Sequence, residues 1–107
     1  MTNPDDPLTY KILKNLEENP ELSQRARSQS LGVSLGKINY CLKALVAKGL
    51  VKVRNFQHNE NKIGYAYILT PQGLEEKSQV AMRFLHRKME EYEQLRCEIE
   101  ELKREVE

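Results

Sequence analysis

Residues 31–53 read Leu31-Gly32-Val33-Ser34-Leu35-Gly36-Lys37-Ile38-Asn39-Tyr40-Cys41-Leu42-Lys43-Ala44-Leu45, then Val46-Ala47, then Lys48-Gly49-Leu50-Val51-Lys52-Val53. Gly32 can take the left-handed conformation that lets a chain leave one helix and begin another at a steep angle. Ser34 is a helix N-cap. Ile38, Cys41, Leu42 and Leu45 then recur by threes and fours, so a helix with one buried face runs to about Lys48 and stops at Gly49. Beyond it the period drops to two: Leu50-Val51-Lys52-Val53-Arg54 sets Val51 and Val53 on one face of a strand and the cations on the other.

Toward the N-terminus, Ser23 caps a short helix that reaches about Leu31. Leu31 and Val33 flank Gly32 and lock the two helices together, which is the pattern of a helix-turn-helix. Ahead of it, Asp6-Pro7 has the form of a helix start. Leu8, Ile12, Leu13 and Leu16 recur at helical spacing until Asn19-Pro20 closes that helix. Toward the C-terminus, Gln57 to Lys62 is polar and turn-like, and Tyr65-Ala66-Tyr67-Ile68-Leu69 returns after Gly64 as a second strand. Thr70-Pro71 repeats the cap-plus-proline start. No proline or glycine follows Gly73, so one helix about 50 Å long is expected at ~1.5 Å per residue. The order helix, helix, helix, hairpin, long helix predicts a mainly α chain with a small β-hairpin wing (α+β), a winged helix-turn-helix. Its divisions are a tail at 1–7, the winged domain at 8–70 and a long C-terminal dimerisation helix at 71–107.

A chain of 107 residues holds one compact core. No apolar run approaches the ~18 residues of a membrane span. The start, Met1-Thr2-Asn3-Pro4-Asp5-Asp6, lacks the basic-then-apolar layout of a signal peptide, so a cytoplasmic location is expected. Cys41 and Cys97 stand far apart and only His58 and His86 could join them, so no metal set and no cofactor are expected, and both cysteines read as reduced thiols. There is no nucleophile–base spacing and no glycine-rich phosphate loop, so an enzyme is not expected.

Charge is distributed unevenly. Residues 1–70 carry ten Lys/Arg against six Asp/Glu, and residues 71–107 carry seven against ten. From Leu22 to Asn59 there is no acidic residue, while Arg25, Arg27, Lys37, Lys43, Lys48, Lys52 and Arg54 are present. One-signed charge over such a stretch points to a polyanion. The inward stripe of the third helix leaves Ser34, Gly36, Lys37, Asn39, Tyr40 and Lys43 outward. Asn can pair bidentately with adenine, Lys reaches guanine or phosphate, Tyr and Ser bond either, and Gly36 permits close approach to a groove floor. Ser23, Gln24 and Arg25 at the start of the second helix, with Arg54, His58 and Lys62 on the wing, complete a candidate duplex-DNA surface. The competing reading is a dimeric protein-interaction adaptor without specific DNA binding, which an acidic recognition face would have favoured.

One position departs from the pattern. The second helix should carry an apolar residue and then a small one, where this chain has Arg27 and Ser28. Burying arginine unpaired is costly, so its stem is expected along the core edge with the guanidinium at solvent or phosphate. A rotated, shortened or loosely packed second helix is the alternative.

In the long helix, Leu85, Tyr92, Ile99 and Val106 fall at heptad position a, and Lys88, Leu95 and Leu102 at d, with Lys88 as one polar interruption. A parallel pairing sets Glu91 against Arg96 and Glu98 against Lys103 of a second copy, whereas an antiparallel one opposes glutamates. A homodimer is therefore expected, with Val80, Ala81, Phe84 and Leu85 packing on the first helix or on the partner.

The quoted run, together with Leu69-Thr70-Pro71-Gln72-Gly73, resembles the MarR-type winged-helix regulators, particularly a short branch associated with exopolysaccharide gene clusters. The resemblance covers roughly residues 8–104. It implies a dimeric DNA-binding transcription regulator with its third helix in the major groove and its wing over the backbone or minor groove. It also implies a link to exopolysaccharide genes. MarR-like dimers often bind small-molecule effectors between the DNA-binding and dimerisation regions, though this chain shows no distinctive polar cluster for one.

Overall fold

Ser23, Ser34 and Thr70 each accept a hydrogen bond from the backbone N–H three residues on (Ala26, Lys37 and Gly73, 3.1 Å in each case). These caps open α2 (Gln24–Leu31), α3 (Leu35–Ala47) and α4 (Pro71–Val106). The computed structural model describes residues 6–59 and 62–107, with side chains at 7–57 and 64–107. It places α1 at Asp6–Glu18 and an antiparallel hairpin of β1 (Val51–Asn59) and β2 (Lys62–Leu69) between α3 and α4. Gly32 (φ 67°) and Gly49 (φ 76°) sit in the left-handed region at the ends of α2 and α3, as the turns there require.

The strands are longer than the sequence pattern suggests. Residues 57–59 and Lys62, expected as turn, and residues 63–64, ahead of the expected return strand, are paired strand, with an irregularity between Gln57 and Asn59. Backbone pairing without an apolar alternation leaves no hydropathy signal, so the sequence pattern does not find it. At its base, Val51 opposite Leu69 faces the core, while Val53 opposite Tyr67 stays largely exposed. The Tyr67 N–H donates to the Pro20 carbonyl at 2.9 Å, so the α1–α2 connection closes the outer edge of β2.

Ile12, Leu13 and Leu16 of α1 pack with Ile38, Leu42 and Leu45 of α3 and with Val51. Each such burial stabilises the fold by ~1.5–3 kcal/mol before entropy is counted. Cys41, expected inside, is half-buried at the edge of this cluster.

The fully buried side chain of α2 is Arg27, at 0% exposure. This overturns the expectation of a guanidinium at solvent or phosphate. Its Nη1 donates to Asn15 Oδ1, and its Nη2 donates to the carbonyls of Asn19 (3.1 Å) and Leu22 (3.0 Å) just past the end of α1. A cation there also complements the negative end of the helix dipole. Burial lowers the Arg27 pKa from its ordinary value, partly opposed by nearby Tyr67. Helix α2 is neither shortened nor detached. Ser28 Oγ donates to the Val33 carbonyl, and the Val33 N–H returns to the Ser28 carbonyl at 3.1 Å, so the turn is tied twice.

Helix α4 packs on α1 through its first third. Val80 is buried, Phe84 stacks against Tyr10 with ring centroids 5.9 Å apart, and Lys77 pairs with Glu17 at 2.9 Å. Leu85, expected in the same set, is exposed, and every residue from Lys88 onward is exposed too. The helix projects beyond the domain, giving a molecule 70 Å long and 26 by 21 Å across. Among the described residues no helix is long and apolar enough to cross a membrane, and no His/Cys/Asp/Glu group could hold a metal ion.

Candidate nucleic-acid interface

On α3 the residues Gly36, Tyr40 and Lys43, spaced by four and three, form one exposed ridge. Tyr40 is 71% exposed. Lys37 flanks the ridge on one side, its Nζ 5.9 Å from the Tyr40 ring centroid, near enough for a cation–π contact that holds both side chains over the ridge. Ser34 stands at the start of the ridge, with its oxygen committed to the Lys37 N–H and its hydroxyl proton free to donate.

Asn39 flanks the other side and is not simply outward. Its Oδ1 is shut off from solvent and finds no hydrogen-bond partner among the described residues. It borders a groove of about 460 Å³ between α3 and the hairpin, lined also by Gln24, Leu42, Val46, Val53 and Tyr67. The sequence pattern placed Asn39 in the outward stripe because it is polar. Its helical angle puts it next to Leu42, so one edge of the amide turns toward the wing.

At the start of α2, Arg25 and Ser23 are exposed. Gln24 is half-buried and donates from Nε2 to the Tyr67 hydroxyl at 2.5 Å. That bond ties α2 to the wing and was invisible in the sequence, where its partners stand 43 residues apart. Strand register sorts the wing residues. Val53, Asn55, Tyr65 and Tyr67 share the face that looks toward α3, whereas Lys52 and Arg54 project from the opposite face. Arg54 is exposed but does not converge with the α3 ridge. Exposed Asn55 and Tyr65 do lie on the ridge side, and sequence reasoning passed over both because neither is a cation. The side chains of His58 and Lys62 lie outside the described residues. Of the seven cations in the acid-free stretch, Arg27 is interior and the other six are exposed.

On α4, Leu85, Tyr92, Leu95, Ile99, Leu102 and Val106 are all exposed. The charges beside them pair along the helix: Glu91 with Arg87 (3.4 Å) and Lys88 (3.2 Å), Arg96 with Glu93 (3.0 Å), and Lys103 with Glu100 (3.9 Å). Glu98 is exposed as well. The hydrogen bond and negative charge of Glu93 raise the Arg96 pKa.

Residues 5–52 match the family model described as winged helix-turn-helix DNA-binding. The fold is a winged helix-turn-helix. Among solved structures, the winged helix here is similar to the PcaV transcriptional regulator from Streptomyces coelicolor, solved with its natural ligand. That match has a TM-score of 0.63 and 22% identity over 74% of this chain and 55% of that one. It is also similar to Staphylococcus aureus MarR in complex with salicylate and kanamycin (TM-score 0.55, 20% identity, 76% of this chain and 53% of that). A MarR family protein from Bacillus stearothermophilus matches with a TM-score of 0.55 and 16% identity, over 79% and 57% of the two chains. The chain spans little more than half the length of these structures. No curated protein matches it.

Proposed function

We propose that this chain is a sequence-specific duplex-DNA-binding transcriptional regulator that acts as a cytoplasmic homodimer. The observation that carries this reading is the α3 ridge: Gly36, Tyr40 and Lys43, flanked by Lys37 and Asn39, within an acid-free stretch whose cations other than Arg27 are exposed, Lys52 and Arg54 on the far face of the wing. Cations fix a protein on the phosphate backbone, and a narrow ridge with amide, phenol and ammonium groups suits base edges in the major groove. Arg25 and the capped start of α2 suit a flanking phosphate.

The apolar stripe of α4, exposed in the single chain, supports pairing with a second copy through Leu85, Tyr92, Leu95, Ile99, Leu102 and Val106. Parallel helices would set Glu91 against Arg96 and Glu98 against Lys103 across the pair. Control of exopolysaccharide genes is the finer part of the proposal and rests on the sequence resemblance. A small-molecule effector has a candidate place in the cleft of about 270 Å³ between α1, α3 and α4, whose lining includes Lys37, Tyr40, Cys41, Lys48 and the Arg83–Glu76 ion pair (3.7 Å).

The test is selection of bound duplexes from a random pool at two salt concentrations. Enrichment of a palindrome, with affinity falling steeply as salt rises, supports a dimer reading two half-sites. Absence of enrichment at either salt overturns the reading and favours a winged-helix adaptor.

A further inference from the structure

The exposed apolar stripe of α4 does not follow the unbroken heptad that its C-terminal half suggests. Met82, Leu85, Met89 and Tyr92 are spaced three, four and three, and each is more than half exposed. From Tyr92 the same alternation restarts through Leu95, Ile99, Leu102 and Val106. A strict heptad instead puts Lys88 in the seam and leaves Met82 and Met89 beside it. We infer that the seam that receives a second copy of this chain runs unbroken from Met82 to Val106, with a three-residue phase shift at Tyr92, where one residue closes the upper register and opens the lower one. The inference rests on the homodimer proposed above.

Three observations carry it. First, Lys88 leans away from the stripe: its Nζ lies 5.4 Å from the Phe84 ring centroid and 3.2 Å from a Glu91 oxygen, both on the side of α4 nearer its own domain. Second, at 3.6 residues per turn Met82 lies across the helix from buried Val80, and Met89 well around it from Phe84. A second α4 laid on the upper stripe therefore meets no part of the first copy's domain. Third, the shift makes the charges complementary. In the upper register Lys88 moves from the seam to a flanking g position, five residues before Glu93, so a parallel partner presents Glu93 to it. Below the shift, Glu98 at g keeps its partner at Lys103, while Glu91, which precedes the shift, moves to c. An antiparallel copy gains none of these pairs. Dropping one four-residue step overwinds the supercoil locally.

Because Met82 lies only two residues past Val80, the seam begins on the part of α4 that is fastened to the winged domain. The two domains are thus joined rigidly, at one separation, instead of riding on a stalk that begins at Tyr92.

Single cysteines at Lys88, Met89 and Leu102, in a full-length Cys41→Ala/Cys97→Ser background, test the register by the rate of disulfide formation between copies. Seam positions of a parallel pair bring Cα atoms within disulfide reach, and flanking positions do not. Leu102→Cys reports the parallel dimer itself. The expected result is rapid bridging by Leu102→Cys and by Met89→Cys, with Lys88→Cys at least ~10-fold slower. Bridging by Leu102→Cys with Lys88→Cys as fast as Met89→Cys, or faster, overturns the phase shift and leaves the dimer standing. Failure of Leu102→Cys to bridge overturns the parallel dimer and the seam together.

Discussion

Arg27 Nη1 donates to Asn15 Oδ1, joining the second helix to the first through a guanidinium that has no exposed surface. With Nη2 on the carbonyls of Asn19 and Leu22, one side chain satisfies three acceptors at the α1–α2 connection. Arg27→Met keeps the apolar bulk and strands those acceptors, at ~1–3 kcal/mol for each that water cannot reach. The expected outcome is a loss of about 2–4 kcal/mol in chemical denaturation. Arg27→Lys should fall between the parent and Arg27→Met, because one ammonium cannot reach Asn15 and both carbonyls of the connection at once. Below its unfolding range, Arg27→Met should bind DNA with an unchanged salt slope, since the guanidinium faces no phosphate. A reduced slope would return Arg27 to the DNA surface.

Gly73 fits only as glycine for a different reason. A Cβ there would stand 2.0 Å from the Leu50 carbonyl oxygen, which is backbone and cannot swing aside. Thr70 fixes the same junction, donating from Oγ1 to the Gly49 carbonyl at 2.7 Å while its own N–H donates to Leu50 at 3.0 Å. Gly73→Ala should therefore cost more than the ~1–3 kcal/mol typical of overpacking, despite alanine's better helix propensity. Thermal melts check this. A neutral or stabilising result would mean α4 can lift off the turn without penalty.

These two sites mark where the sequence was legible. The caps at Ser23, Ser34 and Thr70, the left-handed Gly32 and the threes and fours of α1 and α3 are local signals, and they landed where expected except at Cys41, which stays half-buried at the core edge. The Thr70–Gly73 junction is half local: the cap was readable, but the pressure of Leu50 on Gly73 is tertiary. Arg27 was misread because a charged residue at an apolar position is ordinarily a surface residue. The acceptors that welcome it, two backbone carbonyls and Asn15, carry no signature in composition. The wing failed similarly. Alternation set Lys52 and Arg54 opposite Val53 correctly, but it could not say that α3 lies on the valine side. Asn55 and Tyr65 could be set on the side of the α3 ridge only once strand register was known.

Gly36 separates stability from function. It lies on the exposed ridge of α3, and a Cβ there meets nothing within 4 Å. Gly36→Ala should leave the free protein unchanged or more stable by up to ~1 kcal/mol, through helix propensity. If the ridge sits on the floor of the major groove, the added methyl should weaken operator binding about tenfold or more, at a cost of ~1.4 kcal/mol or above. Titration of an operator duplex, alongside a melt of the same sample, measures both. Equal affinity would place the ridge away from the bases.

Asn39 should show the same divergence more strongly. Its Oδ1 is buried without a partner among the described residues, a state that costs the free protein ~1–3 kcal/mol if water does not reach it. Asn39→Ala removes that group, and should leave stability equal or slightly higher. In the complex, a side-chain rotation of Asn39 would bring its amide to a base edge, where a bidentate pair discriminates by ~1–3 kcal/mol. The variant should therefore lose affinity for its selected operator and keep its non-specific affinity, with the salt slope intact. Lys37→Ala, if Lys37 neutralises a phosphate, should weaken binding to all duplexes alike and lower the salt slope by about one. If both variants bind the operator as the parent does, α3 is not the reading helix. If Asn39→Ala loses specific and non-specific binding equally, Asn39 positions the backbone and does not read a base.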